Sequence, residues 1–433
     1  MFISDSLSVN TEGHLTIGGA DVVSLTKKYG TPLYIMDEDK IRRTCREYRN
    51  AMTDAFGENF TVNYASKAFS TKAIYKIIGD EGLSADVVSG GELYTALSAG
   101  FPADRISFHG NNKTRDEIIF ALKRNIKQFI VDNEEELRII DAEAGRMSKI
   151  ADVSFRIKPG VDAHTHDFVK TGQIDSKFGV ALENGEALEI IKLALSLENV
   201  RLVGLHCHIG SQIFDSEPFS HAAEVMLGFI AKIKNELGFE IRELDLGGGF
   251  GVRYIDADDP KSISEAVRSF SATVKAECKK LGISVPHISI EPGRSVVADA
   301  GITVYTVGSV KKIEGIRTYV SVDGGMTDNP RYALYGSEYT MLLPERPLAE
   351  KTENYTVAGR NCESGDLLGE NIALPEVKSG NLICVLTTGA YNYSMASNYN
   401  RVPRPPVVMV RNGEDRLVVK RETYEDLIVN DLI

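Results

Sequence analysis

The chain has 433 residues, of which 43% are hydrophobic and 25% charged, an ordinary composition for a globular protein with a large core. Its 61 acidic and 49 basic residues give a net charge of -12, which argues against binding to a nucleic-acid backbone. No apolar stretch reaches the roughly 20 residues that span a bilayer, and the five cysteines form no CxxC pair, so we expect no membrane partner and a reducing, cytoplasmic compartment.

Eight short apolar runs, each followed by polar or glycine-rich residues, predict β-strands in the first two thirds of the chain. The runs are Phe60–Ala65, Leu83–Val88, Arg105–His109, Gln128–Val131, Val153–Ile157, Leu202–His206, Leu244–Gly247 and His287–Glu291. Helical patterns such as Gly91–Gly100 and Ala222–Leu237 lie between most of them. Eight alternating units over about 230 residues predict an α/β fold of the (β/α)8 TIM-barrel type. A doubly wound open sheet is the alternative, but no GxGxxG motif follows the first strand.

The two ends of the chain predict a second, mostly antiparallel β domain. Alternating patterns occupy Ile302–Val307, Thr318–Val322, Leu382–Leu386 and Arg416–Val419, and shorter runs occupy His14–Ile17 and Pro32–Ile35. We therefore predict a barrel over residues 36–294 and a β-rich domain formed by residues 1–35 with 295–433.

Functional side chains of a barrel lie where its strands end, and reactive residue types collect at these positions. They are Lys67, Asp86, His109, Arg156, His206, His208, the glycines 247–249 and Glu291. Lys67 follows the first strand between Ser66 and Ala68, and a lysine so placed can hold an aldehyde as a Schiff base. This pattern favours pyridoxal phosphate as the cofactor.

A phosphate site is predicted where the seventh and eighth strands end, the usual place for one in a barrel. Successive glycines at 247–249 let backbone N–H groups close around an anion. Gly293, Arg294 and Ser211 extend the predicted cup. Glu291, beside a pyridine nitrogen, would keep that nitrogen protonated.

Two histidine pairs raise the question of a metal. His206 and His208 share one face of a strand and could bind zinc, but the sequence offers no evident third ligand nearby. We therefore expect no metal and interpret one of these imidazoles as a stacking partner for a pyridine ring. We interpret His164–Asp167 as a loop feature, because Gly160 and Gly172 flank it.

Eight motifs, taken together and in order, carry a resemblance over nearly the whole chain. They are Tyr64–Ala68, Ser89–Leu93, Ser176–Gly179, His206–Ser211, Gly247–Gly251, Glu291–Arg294, Asp323–Met326 and Cys362–Asp366. The chain resembles the fold-type III, alanine-racemase-like pyridoxal phosphate decarboxylases, and within them the diaminopimelate decarboxylases. The resemblance implies decarboxylation of meso-2,6-diaminopimelate to L-lysine and carbon dioxide, the last step of lysine biosynthesis by the diaminopimelate route.

The resemblance also implies the role of each site residue. Lys67 would form the Schiff base with pyridoxal phosphate, His208 would stack on its ring, and Glu291 would meet its ring nitrogen. The other implied cofactor contacts are Asp86, Ser211, Gly248, Gly249, Gly293, Arg294 and Tyr391.

For the substrate, the resemblance implies that Arg294, Arg331 and Tyr335 bind the carboxylate that is not lost, and that Tyr391 also contacts the substrate. Cys362 would donate a proton and Glu363 would bind the distal amino group. Both would come from the neighbouring subunit, which implies a homodimer with shared active sites.

Three alternative functions remain open. A decarboxylase of ornithine, lysine or arginine has no retained carboxylate, so Arg331 and Tyr335 would lack a purpose. A racemase of the alanine type usually places arginine at the ring nitrogen, where this chain has Glu291. A cofactor-free binding protein on the same fold would not need the intact lysine and phosphate motifs.

Overall fold

A computed structural model describes residues 2–161 and 176–433, and the predicted loop at His164–Asp167 lies outside these ranges. The chain divides into two compact units. The first comprises Met1–Arg43, Val252–Asp259 and Arg294–Ile433, and the second comprises Thr44–Gly251 and Pro260–Gly293. The predicted domain limits, a barrel over residues 36–294 and a β-rich domain over residues 1–35 and 295–433, remain a proposal.

The N-terminal elements begin with a small antiparallel sheet and two helices. In chain order they are β1 (Leu7–Val9), β2 (Leu15–Ile17), β3 (Ala20–Asp21), α1 (Val22–Tyr29), β4 (Leu33–Asp37) and α2 (Glu38–Phe56). Strands β1, β2 and β3 form the sheet. Asp21 begins α1, because its carboxylate accepts hydrogen bonds from the free N–H groups of Val23 and Ser24.

Eight parallel strands close into a barrel within the described part of the second unit. They are β5 (Phe60–Ala65), β6 (Ser84–Val87), β7 (Ile106–Phe108), β8 (Gln128–Val131), β9 (Ala151–Lys158), β11 (Val200–His206), β12 (Glu243–Asp245) and β13 (His287–Ile290). Each pairs with the next, and β13 pairs back to β5. The short strand β10 (Val180–Ala181) pairs in parallel with the end of β9. The predicted strands and barrel are confirmed, and the strand ends lie within two residues of those predicted.

Helices follow the barrel strands as predicted. They are α3 (Lys72–Asp80), α4 (Gly90–Ser98), α5 (Arg115–Arg124), α6 (Glu134–Arg146), α7 (Glu186–Ser196), α8 (Glu217–Leu237) and α9 (Ile263–Leu281). Helix α9 has a capping box between Ser262 and Glu265. Helix α8 begins five residues before the predicted start at Ala222, because a proline in its first turn is compatible with helical backbone.

The elements after the barrel build a mixed sheet in the first unit. They are α10 (Arg294–Val297), β14 (Gly301–Ile313), β15 (Arg317–Val322), α11 (Arg331–Tyr335), β16 (Met341–Leu342), β17 (Glu353–Ala358), β18 (Leu367–Leu374), β19 (Leu382–Val385), β20 (Val407–Arg411), β21 (Glu414–Val419) and α12 (Tyr424–Ile428). The sheet order is β18-β17-β15-β14-β4-β20-β21, with β19 also paired to β14. Most pairs are antiparallel, whereas β15–β17 and β20–β4 are parallel.

The core of this sheet is apolar and includes the N-terminal strands. Side chains from β2, β4, β14, β19 and β20 pack together, among them Ile17, Ile35, Val304, Cys384 and Val408. The predicted, mostly antiparallel β region is thus confirmed. Among the described residues, no helix is both long and apolar enough to cross a bilayer.

Candidate active site

Lys67 stands at the carboxyl end of the first barrel strand. Strand β5 ends at Ala65, and a single 3-10 turn, Ser66–Ala68, follows it. Lys67 is exposed although both neighbours in the turn are buried. The turn therefore fixes the backbone in the packed barrel and leaves the amine accessible to a reactant.

Two histidines approach the carboxylate of Glu291, which follows β13. Nε2 of His206 donates a hydrogen bond to Oε2 at 3.1 Å. Nε2 of His109 lies 2.9 Å from Oε1, but without the alignment of a hydrogen bond, so Oε1 has no hydrogen-bond partner among the described residues. All three side chains are buried. The ends of β7, β11 and β13 thus meet at one carboxylate.

Three carboxyl groups in this part of the barrel have different pKa values. Burial, together with the charge of Glu291, raises the pKa of Asp86 to about 6 and raises that of Asp245 well above its usual value. Burial opposes ionisation of Glu291 too, but His109 and His206 hold its pKa well below the usual value. Glu291 is therefore the member of this group whose surroundings most favour the ionised form.

Glycines at the ends of β12 and β13 allow close contact between backbones. A Cβ atom at Gly248 would lie 2.1 Å from the carbonyl oxygen of Glu291, and one at Gly249 would lie 2.4 Å from that of Gly210. A Cβ atom at Gly293 would lie 2.8 Å from that of Ala65. Gly249 also has a φ of +114°, which favours glycine. The predicted phosphate residues Gly248, Gly249 and Gly293 thus lie where no side chain fits.

His208 follows β11 and is half-buried. Its Nδ1 accepts a hydrogen bond from the N–H of Gly248 at 3.2 Å, which assigns the ring proton of a neutral imidazole to Nε2. Burial, with the charges of Lys67 and Arg156, lowers the pKa of His208 well below its usual value. A neutral ring is suited to stacking. The Gly248 N–H is engaged with His208, so its predicted contact with phosphate stays a prediction.

Sequence reasoning left His109 and Arg156 without roles and did not select Asp245 or Tyr254. Arg156 lies within β9, and its Cζ is 4.2 Å from the centre of the Phe178 ring. Asp245 ends β12 and accepts a hydrogen bond from Asn63 at 3.1 Å. The rule that function lies at strand ends points to Asp245, whereas no sequence pattern marks Tyr254.

A cluster of arginine and tyrosine side chains lies in the first unit. Nη1 of Arg294 donates to the Tyr254 hydroxyl at 2.7 Å. The Tyr391 ring centre lies 4.8 Å from Cζ of Arg294 and 5.4 Å from Cζ of Arg331. Arg331 also lies 5.1 Å from the Tyr335 ring centre. The structure therefore brings Arg294 and Arg331 to the Tyr391 ring and Tyr335 to Arg331, so the four predicted substrate-binding residues form one connected cluster.

Arg331 has unused hydrogen-bonding capacity in this cluster. The residue is buried, and its Nε has no hydrogen-bond partner among the described residues. A buried guanidinium with an unmet donor favours an anionic ligand, because the planar group matches a carboxylate.

Cys362 and Glu363 are exposed on a short loop after β17. Asp366 holds this loop by accepting hydrogen bonds from Asn361 at 2.7 Å and from the N–H of Met326 at 2.6 Å. The N–H of Cys362 donates to Asn400 at 2.7 Å. The loop is thus tied by its backbone and leaves a thiol and a carboxylate accessible.

Comparison with known proteins places the chain in a family. Residues 38–298 match the pyridoxal-binding domain of the pyridoxal-dependent decarboxylases. Over 432 residues the chain is 50% identical to the diaminopimelate decarboxylase of Bacillus subtilis (strain 168). The alignment covers 100% of this chain and 98% of that protein. The chain belongs to the diaminopimelate decarboxylase family. The diaminopimelate decarboxylase of Bacillus methanolicus is 49% identical, covering 98% of each chain.

A crystal structure of diaminopimelate decarboxylase from M. jannaschii in complex with L-lysine shares this fold. Its TM-score is 0.93 at 36% identity, and the match covers 100% of this chain and 99% of that one. The resemblance inferred from the eight motifs is therefore confirmed.

Membership in the diaminopimelate decarboxylase family implies pyridoxal phosphate as the cofactor, and the barrel residues fit it. Oε1 of Glu291 is a buried acceptor without a donor, and a protonated ring nitrogen is such a donor. Gly249 and Gly293 place no side chain where the phosphate is predicted to lie, whereas the N–H groups of Gly247 and Gly248 donate to Asp245 and His208.

Proposed function

We propose that this member of the diaminopimelate decarboxylase family removes one carboxylate of meso-2,6-diaminopimelate as carbon dioxide and releases L-lysine. This reaction is the last step of lysine biosynthesis by the diaminopimelate route. The observation that carries the proposal is the presence, on neighbouring strand ends, of an exposed Lys67 and a buried, ionised Glu291. The 50% identity to a diaminopimelate decarboxylase over the length of the chain supports the choice of meso-diaminopimelate as the substrate.

Bound pyridoxal phosphate supplies an electron sink for the carbanion that remains when carbon dioxide leaves. Lys67 is the proposed Schiff-base partner of its aldehyde. Glu291 would hold the proton on the ring nitrogen, and the neutral His208 ring would stack on the pyridine. Asp86, paired in register with Ala65, lies next to the lysine turn and interacts with its charge.

The phosphate is assigned to three glycines, which offer backbone N–H donors, and to one hydroxyl and one guanidinium donor. They are Ser211, Gly248, Gly249, Gly293 and Arg294. Close backbone packing at the three glycines supports this assignment.

The retained carboxylate is assigned to Arg294, Arg331, Tyr335 and Tyr391. Their mutual contacts and the unmet Nε of Arg331 support this role. The carboxylate that leaves should not face a strong cation, because ion pairing would stabilise it before the bond breaks.

We further propose a homodimer in which Cys362 and Glu363 act in the active site of the neighbouring subunit. Cys362 would donate a proton to the substrate carbon that loses its carboxylate, and Glu363 would bind the distal ammonium group of the substrate. Their exposure on a tethered loop supports this assignment.

A cytoplasmic location is proposed from cysteine chemistry. All five cysteines of the chain lie within the described residues, and none of them is part of a disulfide there. Cysteines that are not oxidised to disulfides are typical of a reducing compartment.

The test is a substrate panel with the purified protein and added pyridoxal phosphate. Meso-diaminopimelate, lysine, ornithine and arginine are supplied at equal concentrations, and carbon dioxide and L-lysine are measured. We expect equal amounts of both products from meso-diaminopimelate and no carbon dioxide from the other three. Release from lysine or ornithine with comparable kcat/KM would favour the diamine-producing alternative. A protein that gains no visible absorbance from the cofactor would be a cofactor-free binder.

A further inference from the structure

His109 and His206 have no part in the functions proposed above. We propose that they are positioning residues, which hold the Glu291 carboxylate between two imidazoles and leave one oxygen for the ring nitrogen of the cofactor. This inference rests on the proposed function, because it requires pyridoxal phosphate to lie against Glu291.

The geometry gives the two histidines different tasks. His206, at the end of β11, donates from Nε2 to Oε2 of Glu291 at 3.1 Å and so fixes that oxygen. His109, just after β7, places Nε2 at 2.9 Å from Oε1 but does not satisfy it. The ring centres are 5.0 Å apart and the planes are inclined by 76°, so the rings meet edge to face beside the carboxylate. Oε1 is thereby held in place and still available as an acceptor.

Burial makes these contacts necessary. The relative exposures are 4% for His109, 1% for His206 and 7% for Glu291. A carboxylate without water keeps its charge only when hydrogen bonds and nearby positive or polar groups replace the lost solvation.

The neighbouring acids increase this need. Asp86 and Asp245 both interact electrostatically with Glu291. If the imidazoles were removed, like-charge repulsion and burial would both favour proton uptake by Glu291. A protonated Glu291 could not keep a proton on the ring nitrogen.

The same three side chains present possible metal ligands. One atom from each of His109, His206 and Glu291 lies within 4.8 Å of the others. Two histidines and a carboxylate can bind zinc. A metal at this position would take the Glu291 oxygen that the cofactor needs, so the two interpretations are exclusive and can be separated by experiment.

Two matched pairs of variants test the proposal. His206→Gln keeps an N–H donor close to the position of Nε2, whereas His206→Leu has no donor; His109→Gln and His109→Leu form the second pair. We expect both Leu variants to bind the cofactor with an altered visible absorption band. Their kcat should fall about 10- to 100-fold, the range found when groups that orient a ligand are removed, with KM changed less than about threefold. The Gln variants should recover most of the wild-type spectrum and kcat.

Further measurements separate positioning from a general structural effect. In a Glu291→Gln background, His206→Leu should cause little additional change in spectrum or kcat, because the two residues act through one contact. If His206→Leu does not fold, His206→Asn replaces it, since its shorter amide does not reach Oε2. Dialysis of the wild-type holoenzyme against a chelator should leave the absorption band unchanged.

Several results would overturn the inference. They are a wild-type spectrum and kcat in the Leu variants, equal damage in Gln and Leu variants, additive effects with Glu291→Gln, or loss of the band on chelation. Failure of the proposed function looks different, because the wild-type protein itself would then bind no cofactor or release no carbon dioxide from meso-diaminopimelate.

Discussion

The surroundings of the Glu291 carboxylate lower its pKa in a part of the barrel where the pKa values of two neighbouring carboxyl groups, Asp86 and Asp245, are raised. Burial disfavours ionisation of all of them. The difference is the pair of imidazoles beside Glu291, since no such pair faces Asp86 or Asp245 in the described contacts. Individual contacts, rather than burial, therefore decide which acid can act on a ring nitrogen.

The charge of Glu363 is proposed to bind the distal ammonium group of the substrate, and a single substitution tests this role. Glu363→Gln keeps the shape and the acceptor for the Gly365 N–H but removes the charge that is proposed to pair with the distal ammonium. We expect KM for meso-diaminopimelate to rise about tenfold or more, because a hydrogen bond to a charged group contributes about 1.5–3 kcal/mol. Titration of the cofactor should give an unchanged Kd. Glu350→Gln, at another exposed site, is the control, and an unchanged KM in Glu363→Gln would refute the role.

At the scale of elements, the strand ends of the barrel depend on glycine. Gly248→Ala would place Cβ 2.1 Å from the carbonyl oxygen of Glu291, a backbone atom that cannot move freely. We expect a loss of stability of about 3 kcal/mol and weaker cofactor binding, measured by calorimetry and by cofactor titration.

Gly228→Ala supplies the matched control. Gly228 lies within α8, and a Cβ atom there would meet nothing within 4 Å. The substitution should raise stability by about 0.5–1 kcal/mol, because alanine loses less backbone entropy in a helix. Equal melting temperatures for the two alanine variants would contradict the close packing at Gly248.

Asp328 is a buried carboxyl group in the segment between β15 and α11, and it makes stability depend on pH. It accepts hydrogen bonds from the N–H of Gly325 at 3.0 Å and from the hydroxyls of Tyr305 and Thr327. Burial raises its pKa from 3.8 to about 7. A pKa raised by folding means that this carboxyl favours the folded state below pH 4 and that this contribution is lost as the pH rises to 7.

Asp328→Asn removes this titration. We therefore expect the unfolding free energy of the variant, relative to wild type, to increase by roughly 3 kcal/mol between pH 5 and pH 8, at about 1.4 kcal/mol per pH unit up to the raised pKa. Denaturant unfolding of both proteins across this range measures it. A difference that does not vary with pH would show that Asp328 is ionised throughout.

The elements also show what sequence can and cannot predict. Apolar runs that end in polar residues located all eight barrel strands. Each strand is buried and therefore apolar, and the residues at its end are polar or glycine. The meeting of His109, His206 and Glu291 could not be predicted, because it depends on how three strands far apart in sequence are arranged when the barrel closes. Tyr254 lies outside regular structure, so no periodicity marks its contact with Arg294.

At the scale of the whole molecule, shared active sites predict complementation between inactive variants. Lys67→Ala and Cys362→Ser would each be inactive alone. In a mixed dimer, one site would carry both defects and the other neither. Random reassortment makes half of the dimers mixed, so we expect about a quarter of wild-type activity after mixing and dissociation. Activity that stays at the level of the single variants would contradict sharing, and mixing either variant with itself is the control.

Lys67 is the residue proposed to carry the cofactor, and chemical trapping identifies the lysine that does so. The protein loaded with pyridoxal phosphate is reduced with borohydride, digested and analysed by mass spectrometry. We predict that the added mass lies on the peptide that contains Lys67. We also predict that Lys67→Ala loses the label, the visible absorbance and the decarboxylation of meso-diaminopimelate, while Lys72→Ala, at an exposed position nearby, keeps all three. A label on another lysine, or full activity in Lys67→Ala, would contradict the claim.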